Sequence, residues 1–440
     1  MHSIIYTGKG SIFRWRKHVK INMNEIVNPA QGRVLLQRDS RGEPQARFDL
    51  VGLPRVDTLL AGKSAGEALY MTEHLCGICP AAHHLAGTRC LDQLAVIDGE
   101  GISTLAESVR RLLHCGSHIE AHSLRFASLD REAAVTLKKY SRRVMDAAGA
   151  GGHFPQTALP GGISQLPETE ALRSLSEDLS PVLDAAEKLC EWAFRSDVEF
   201  GDTFVGASVA LADSSGKPDL LGEYVKAVRG TEVLFLEPNA RFSELITESR
   251  PGENVPRPYI VALGIPEGYY RVGPIAQLSI GPLSTPRARA AQNRWLGGAE
   301  SGGGLAARAI ITLHCLEMVE QLAERILELL CVEEERAGTT FDEPKPLHAG
   351  TATGLVDSPR GILQHTYSIG EDGLVSSATI LTPTVQNEPW LAYLLTDAVR
   401  LEGNAREAAM EDALRTADPC LPISAAPPGT MNLVIEAGNG

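Results

Sequence analysis

The sequence predicts an α+β protein, predominantly α, with a large helical-bundle core and small β elaborations. Long segments place apolar side chains at helical steps of three and four, and short alternating runs punctuated by Gly and Pro recur between them. The 440 residues, 43% hydrophobic and 22% charged, supply chain for a deep core at ordinary globular composition. No internal repeat or low-complexity linker is evident, so residues 24–440 read as one domain behind a tail of residues 1–23.

Taken in order, strands are expected at residues 33–37 and 46–51, where apolar residues alternate. Helical periodicity then predicts helices over 81–94, 104–126, 131–148 and 168–196, the last interrupted by Pro181, which lacks an N–H and clashes with the preceding turn. Short strand pieces such as 259–263 punctuate 201–290. The longest helix is expected over 305–336, where Ile310, Leu313, Val319, Leu322, Ile326, Leu329 and Leu330 keep helical spacing. Gly297, Gly298, Gly302, Gly303 and Gly304 make a loop before it. With no strand ahead and no Gly-Lys-Ser/Thr behind, it is not a phosphate loop. Strands and turns return over 350–382.

Forty-one basic against 55 acidic residues, a formal charge of −14, argue against a nucleic-acid surface, which needs clustered Lys and Arg. No apolar run approaches the ~20 residues of a membrane-spanning helix. The one basic cluster, Lys9, Arg14, Arg16, Lys17 and Lys20, lacks the apolar stretch of a secretory signal and reads as a tail, with Met23 an alternative start. Eight cysteines are too sparse for a disulfide scaffold and fit a reducing, cytoplasmic compartment. Cys90, Cys115, Cys190, Cys315 and Cys331 sit singly in apolar, helix-like segments and read as small core residues.

The other three thiols keep different company. In His74 to His84, HLCGICPAAHH, Pro80 is a natural first helical residue, so Cys76 and Cys79 fall at or before a helix N-terminus. There the helix dipole favours thiolate and hence metal binding. His83 follows Cys79 by one helical turn. On this motif alone a redox pair, half a zinc site and chance remain open. Near the other end, Asp418-Pro419-Cys420 reads as N-cap, first helical residue and thiol.

CGICPAAHH followed about 340 residues later by DPC resembles the large subunit of nickel–iron hydrogenases, whose centre hangs from an N-terminal C-x-x-C and a C-terminal D-P-C-x-x-C-x-x-H. Further stretches resemble that family in the same order: Leu59 to Lys63, Ser117 to Phe126 with His122, Gly152-His153-Phe154-Pro155 with Pro160-Gly161-Gly162, Ser358-Pro359-Arg360-Gly361 with His365, and Thr382 to Asn387. The resemblance implies Cys76 and Cys420 as nickel ligands and Cys79 as a bridge to an iron carrying cyanide and carbon monoxide. It further implies Asp57 as a ligand of a buried magnesium or iron ion and Arg360 as the catalytic guanidinium over the diatomic ligands. His83, His122, Asp357, Pro359, Pro383 and Thr384 would support those groups. The implied partner is an iron–sulfur small subunit, since this chain lacks spare cysteine clusters to carry electrons away.

Several departures qualify that picture. The second bridging cysteine should lie three residues after Cys420, at Ile423, which ligates nothing; Ser424 is a poor replacement for a thiolate. The closing histidine is Ala426, the proton-passing glutamate is Gln31, and the arginine before the first cysteine is His74. With Asp418 as cap, Pro422 would be the fourth helical residue, without the N–H that position donates, which implies a re-shaped turn. Together these favour a scaffold for metal-centre assembly, working with maturation factors, over an active hydrogenase. A zinc site on the three sulfurs and His83 is a further alternative, and retention of these residues disfavours a purely structural descendant.

Overall fold

The computed structural model describes residues 31–39, 41–50, 57–95, 101–196, 204–249, 257–297, 303–340, 345–426 and 429–437; the expected tail, Gly298 and Gly302 lie outside the described residues. Several of its helices begin where a side chain answers their free N–H groups or a proline removes one. Ser64 and Glu67 form a capping box on α1 (Ala65–Glu73). Cys79 precedes Pro80 at the start of α2 (Pro80–Asp92), and Ser103 caps α3 (Thr104–Ser123), which runs on into a 3-10 turn Leu124–Phe126. Asp130 caps α4 (Arg131–Ala147). The expected helix over 168–196 is two, α5 (Thr169–Glu177) and α6 (Leu179–Arg195). Pro181 falls in the first turn of α6, where no intrahelical N–H bond is missed.

Further on come α7 (Pro286–Leu296), α8 (Gly303–Leu329), α9 (Glu388–Ala398) and α10 (Gly403–Ala417). The expected run to residue 336 stops at Leu329, because Val332 turns to an extended conformation and three glutamates open a new short helix, Glu333–Arg336. Helix α8 packs against α3, α6, α5 and α7, and α3 also packs on α4. It is the central post, buried through most of its length. Cys90, Cys115, Cys190 and Cys315 are buried in the interior; Cys331 is not, since it lies beyond the last buried residue of α8 and is exposed.

The strands flank this bundle as small sheets. Besides the two short pairs Ala158–Leu159 with Gly162–Ile163 and Ile246–Glu248 with Pro258–Ile260, they are β1 (Gln31–Arg38), β2 (Pro44–Phe48), β3 (Ala207–Ala212), β4 (Tyr224–Arg229), β5 (Glu232–Pro238), β6 (Tyr270–Arg271), β7 (Gly350–Ser358), β8 (Gly361–Ile369), β9 (Val375–Leu381) and β10 (Asn432–Ala437). One sheet runs β10-β1-β2, with β10 parallel to β1 in the register Gln31↔Asn432, so it joins the two ends of the described chain. A second runs β6-β3-β4-β5, and the third is the antiparallel meander β7-β8-β9. The strand expected over 46–51 ends at Phe48, and that over 259–263 gives way to a 3-10 turn after Ile260. The architecture is α+β and predominantly α. Among the described residues no helix is long and apolar enough to cross a membrane.

Two close approaches set where the site forms. Helix α2 lies directly on β7, and a Cβ at Gly354 would stand 2.2 Å from the Ala86 carbonyl oxygen and 2.3 Å from the Cys90 nitrogen. Both are backbone atoms, which have nowhere to go. The hairpin β7–β8 pairs Ser358 with Gly361, which leaves Pro359 and Arg360 as its two-residue tip. Gly354→Ala is therefore expected to push α2 off the sheet and lower stability by roughly 1–3 kcal/mol, the usual cost of overpacking, measured as a lower urea midpoint at unchanged slope.

Candidate metal centre

Two chain segments meet between the N-terminus of α2 and the C-terminus of α10. Cys79 precedes the first turn of α2, and Cys76 lies three residues earlier. Cys420 arrives two residues after Asp418, the residue that ends α10. The Sγ atoms of Cys76 and Cys420 are 2.8 Å apart, those of Cys79 and Cys76 3.2 Å, and those of Cys79 and Cys420 3.8 Å. Among the described residues this is the one group of three or more His, Cys, Asp or Glu side chains disposed to hold a metal ion. Cys79 is buried, while Cys76 and Cys420 keep partial exposure.

Three thiols in contact cannot ionise independently. S–H bonds from Cys420 and Cys79 pull the Cys76 thiol far below the usual thiol range, and Cys79 is pushed up by the same contacts and by burial. The sulfurs thus share one ready thiolate. A soft, compact, partly ionised donor set of this kind suits iron, nickel or zinc.

The surroundings are polar and buried. Arg360, at the hairpin tip, is 4% exposed, and its Nε lies 3.4 Å from Asp418 Oδ2. Burial alone would lower its pKa, but Asp418 and then Cys420, Cys79 and Cys76 raise it. Burial would likewise raise the Asp418 carboxyl; Arg360, Arg125 and Arg308 outweigh that and hold it well below the carboxylate range. His83 is buried one turn beyond Cys79, and a single proton bridges its Nδ1 to His365 Nε2 at 3.0 Å. Thr384 Oγ1 accepts the Cys420 N–H at 2.9 Å, and Pro383 starts the short helix Pro383–Gln386.

Helix α3 supports the hairpin with a file of imidazoles. His114 and His118 each place Nε2 2.9 Å from the Asp357 carbonyl oxygen, and His122 places Nε2 3.0 Å from that of Pro359. Since a carbonyl only accepts, these nitrogens donate. The Asp357 carboxyl itself is pushed up to about 7 by burial, despite bonds from Gln277 and the Leu211 N–H. Asp57 opens the short helix Asp57–Leu60, and its side chain lies outside the described residues.

The C-terminal turn differs from its sequence reading. Asp418 is the C-cap of α10, in left-handed conformation at φ 46°, and not the N-cap of a following helix. Pro422 is the first residue of a 3-10 turn, Pro422–Ala425, where its missing N–H is harmless, and not the fourth of an α-helix. Ile423 is buried in the main hydrophobic cluster; a Cβ on Gly32 would lie 2.7 Å from its Cδ1. Ser424 Oγ lies 2.9 Å from Asp418 Oδ1, 3.0 Å from the Pro419 oxygen and 2.8 Å from the Leu421 oxygen, so the loop itself engages it. Gln31 opens β1, with its side chain outside the described residues. His74 stacks on Phe154 with ring centroids 3.9 Å apart, and the Ala426 oxygen accepts from Arg415. Arg125 and Arg308 carry no sequence signal, since nothing local marks a helical arginine that answers an aspartate more than a hundred residues away.

Comparison with known proteins fits this geometry. No family model matches. The chain is 25% identical to a subunit of the F420-non-reducing hydrogenase of Methanothermobacter thermautotrophicus, over 92% of this chain and 94% of that protein. It is 23% identical to the beta subunit of the NAD-reducing hydrogenase HoxS of Cupriavidus necator, over 92% and 94%. A crystal structure of an NAD+-reducing [NiFe]-hydrogenase in the H2-reduced state superposes with a TM-score of 0.77 at 25% identity, covering 89% of this chain and 96% of that one. Over nearly its whole length the chain is thus similar to nickel–iron hydrogenase subunits. This large-subunit-like chain carries a three-cysteine cluster compatible with metal binding, and its hydrogenase relatives imply a nickel–iron centre with cysteine ligands. A reduced Desulfomicrobium baculatum Ni-Fe-Se hydrogenase, at 17% identity and a TM-score of 0.65, shares the fold.

The buried imidazoles make stability depend on acid. Burial lowers His114 and His314 to about 4 and His122 to about 3, against 6.5 for a free ring. Between those values these rings bind more protons in the unfolded chain than in the folded one, so their contribution is full above about pH 6.5 and falls as pH drops toward 4, while Asp357, pushed up to about 7, opposes it with about one ring's share. Each ring contributes on the order of 1.4 kcal/mol per pH unit across that window. Urea unfolding from pH 7.5 to 5 is expected to show that acid loss, and His314→Phe should flatten it.

Proposed function

We propose that this large-subunit-like chain holds an iron or nickel–iron centre on Cys76, Cys79 and Cys420 and serves as a scaffold on which such a centre is assembled, not as a hydrogen-consuming enzyme. The observation that carries this reading is a cluster of three sulfurs with Ile423 in the hydrophobic core and Ser424 engaged by its own loop. Three thiolates hold one metal firmly, but a pair of metals bridged by sulfur calls for more. When bound, the group would supply Lewis-acid and redox chemistry. The chain's own residues would grip and orient it. Cys79 offers the buried sulfur and Cys76 the readiest thiolate. Thr384 fixes the Cys420 backbone, and the Arg360 guanidinium would donate to anionic ligands such as cyanide. Asp57 would take a magnesium ion by its position in the sequence. In this reading the partners are maturation factors in the cytoplasm.

A second reading, an active hydrogenase large subunit paired with an iron–sulfur small subunit, is favoured by the relatives, which are hydrogenase subunits by name, and by the buried Arg360. Hydrogen uptake separates the two. Protein co-expressed with maturation factors is expected to carry iron with cyanide and carbonyl infrared bands, lost in Cys79→Ala, yet to reduce viologen dyes negligibly under hydrogen even with a small subunit. Robust uptake would establish the second reading, and one equivalent of zinc without infrared bands would refute both. Ile423→Cys is expected to leave uptake negligible, because position 423 faces the core.

A further inference from the structure

The two arms of the thiol cluster are held in unequal ways. Cys76 and Cys79 lead into α2, which is packed against α1, β7 and β8. Cys420 sits in a short loop after Asp418, which ends α10 in the left-handed region, uncommon for a residue other than glycine, asparagine or aspartate. Backbone bonds within the loop are few and reach only two or three residues: the Leu421 N–H to the Pro419 oxygen at 2.6 Å, the Ser424 N–H to the Leu421 oxygen at 3.1 Å and the Ala426 N–H to the Ile423 oxygen at 3.0 Å. Yet the Cys420 sulfur stands within 3.8 Å of both others.

Side chains from the helical core make up the difference. Arg125, in the 3-10 turn that ends α3, donates through Nη2 to both Asp418 Oδ1 and Ser424 Oγ, the latter at 2.9 Å. Ser424 Oγ is in turn 2.9 Å from the same Asp418 oxygen. A hydroxyl has one hydrogen and two acceptor sites, so Ser424 receives from Arg125 while giving its proton within the loop. The result is a closed clasp of guanidinium, carboxylate and hydroxyl that spans the loop from residue 418 to residue 424. Arg308 lies on the opposite carboxylate oxygen, with Nε 3.7 Å from Oδ2. The clasp and the Thr384 bond to the Cys420 N–H flank the cysteine on both sides.

We infer that Arg125 and Ser424 are positioning residues that hold the Cys420 sulfur against the Cys76–Cys79 pair before any metal arrives. The inference rests on the metal-centre reading above for its purpose, but not for its geometry. A protein clasp stands where a metal–sulfur bond would otherwise have to order the loop. A cup formed in advance takes up and gives up an ion without refolding its rim, because the ordering entropy has already been met by folding.

Hydrogen exchange and cobalt spectroscopy test this, with Co(II) itself as the probe. In the metal-free protein the peptide covering residues 418–426 is expected to exchange at least tenfold more slowly than in Arg125→Gln or Ser424→Ala. Added Co(II) should change that peptide little in the unmodified protein. In both variants the thiolate-to-cobalt absorption should fall to the level of Cys420→Ser, and Co(II) affinity should weaken by roughly 10–100-fold, as for other supports of a metal ligand. Ser424→Thr, which keeps the hydroxyl, should retain the full absorption. The inference is overturned if residues 418–426 of the unmodified protein exchange freely without metal and become protected only with Co(II), a measurement that needs no variant. It is equally overturned if the variants keep both the protection and the three-thiolate spectrum. Should the unmodified protein bind Co(II) through no thiolate, the metal-centre reading fails, and the exchange comparison still decides the clasp.

Discussion

Three guanidiniums cannot be taken out of water together unless charge of the opposite sign goes with them, and here the Asp418 carboxylate meets Arg125, Arg308 and Arg360 at once. Leaving one such ion unpaired costs about 3–5 kcal/mol, comparable to the whole stability margin of many domains. The constraint is therefore global. Arg125 comes from the end of α3, Arg308 from α8, Arg360 from the β7–β8 tip and Asp418 from the end of α10. One carboxylate thus fixes the mutual position of four elements drawn from most of the chain. It does so beside Cys420, whose placement depends on all of them.

That charge cluster also shapes the chemistry next to it. One carboxylate against three guanidiniums leaves positive charge in a buried setting, and the nearest groups able to answer it are the sulfurs, which interact with Arg360. The same surplus favours thiolate over thiol and an anionic metal group over a cationic one. On the far side of the hairpin, the imidazoles of α3 stay neutral and spend their N–H groups on backbone carbonyls. The imidazoles thus fix the backbone of the hairpin that carries Arg360, while the Asp418 carboxylate faces its side chain.

How far the sequence reveals this depends on the range of the interaction. The C-x-x-C before proline and the helix-bearing segments are local patterns, and helices start or run where they point because the cause lies within a few residues. Asp418 misleads for the same reason. A proline just after an aspartate suits a helix start, but it equally follows a helix end, and only α10 behind it decides between the two. Arg125 and Arg308 carry no local signature, since their partner lies 293 residues away in one case and on another helix in the other. Cys331 reads as core because apolar periodicity continues past the point where α8 stops. The two close approaches of backbone at Gly354 are likewise invisible until α2 and β7 are seen together.

Among the described residues the thiol cluster has three members, and the shape of the turn after Cys420 accounts for what its neighbours do instead. Proline at the start of the 3-10 turn fixes the backbone entering residue 423. From there the Ile423 side chain reaches Gly32 on β1, beside Phe48 and Leu433, while Ser424 falls next to Asp418 and the loop carbonyls. Each position is thereby committed, one to apolar packing and the other to the clasp. Strand β10, which follows the turn, pairs with β1, so the path out of the loop is tied to the same sheet that receives Ile423. Proline, isoleucine, serine and the closing strand are consistent with one another and with a cup of three sulfurs.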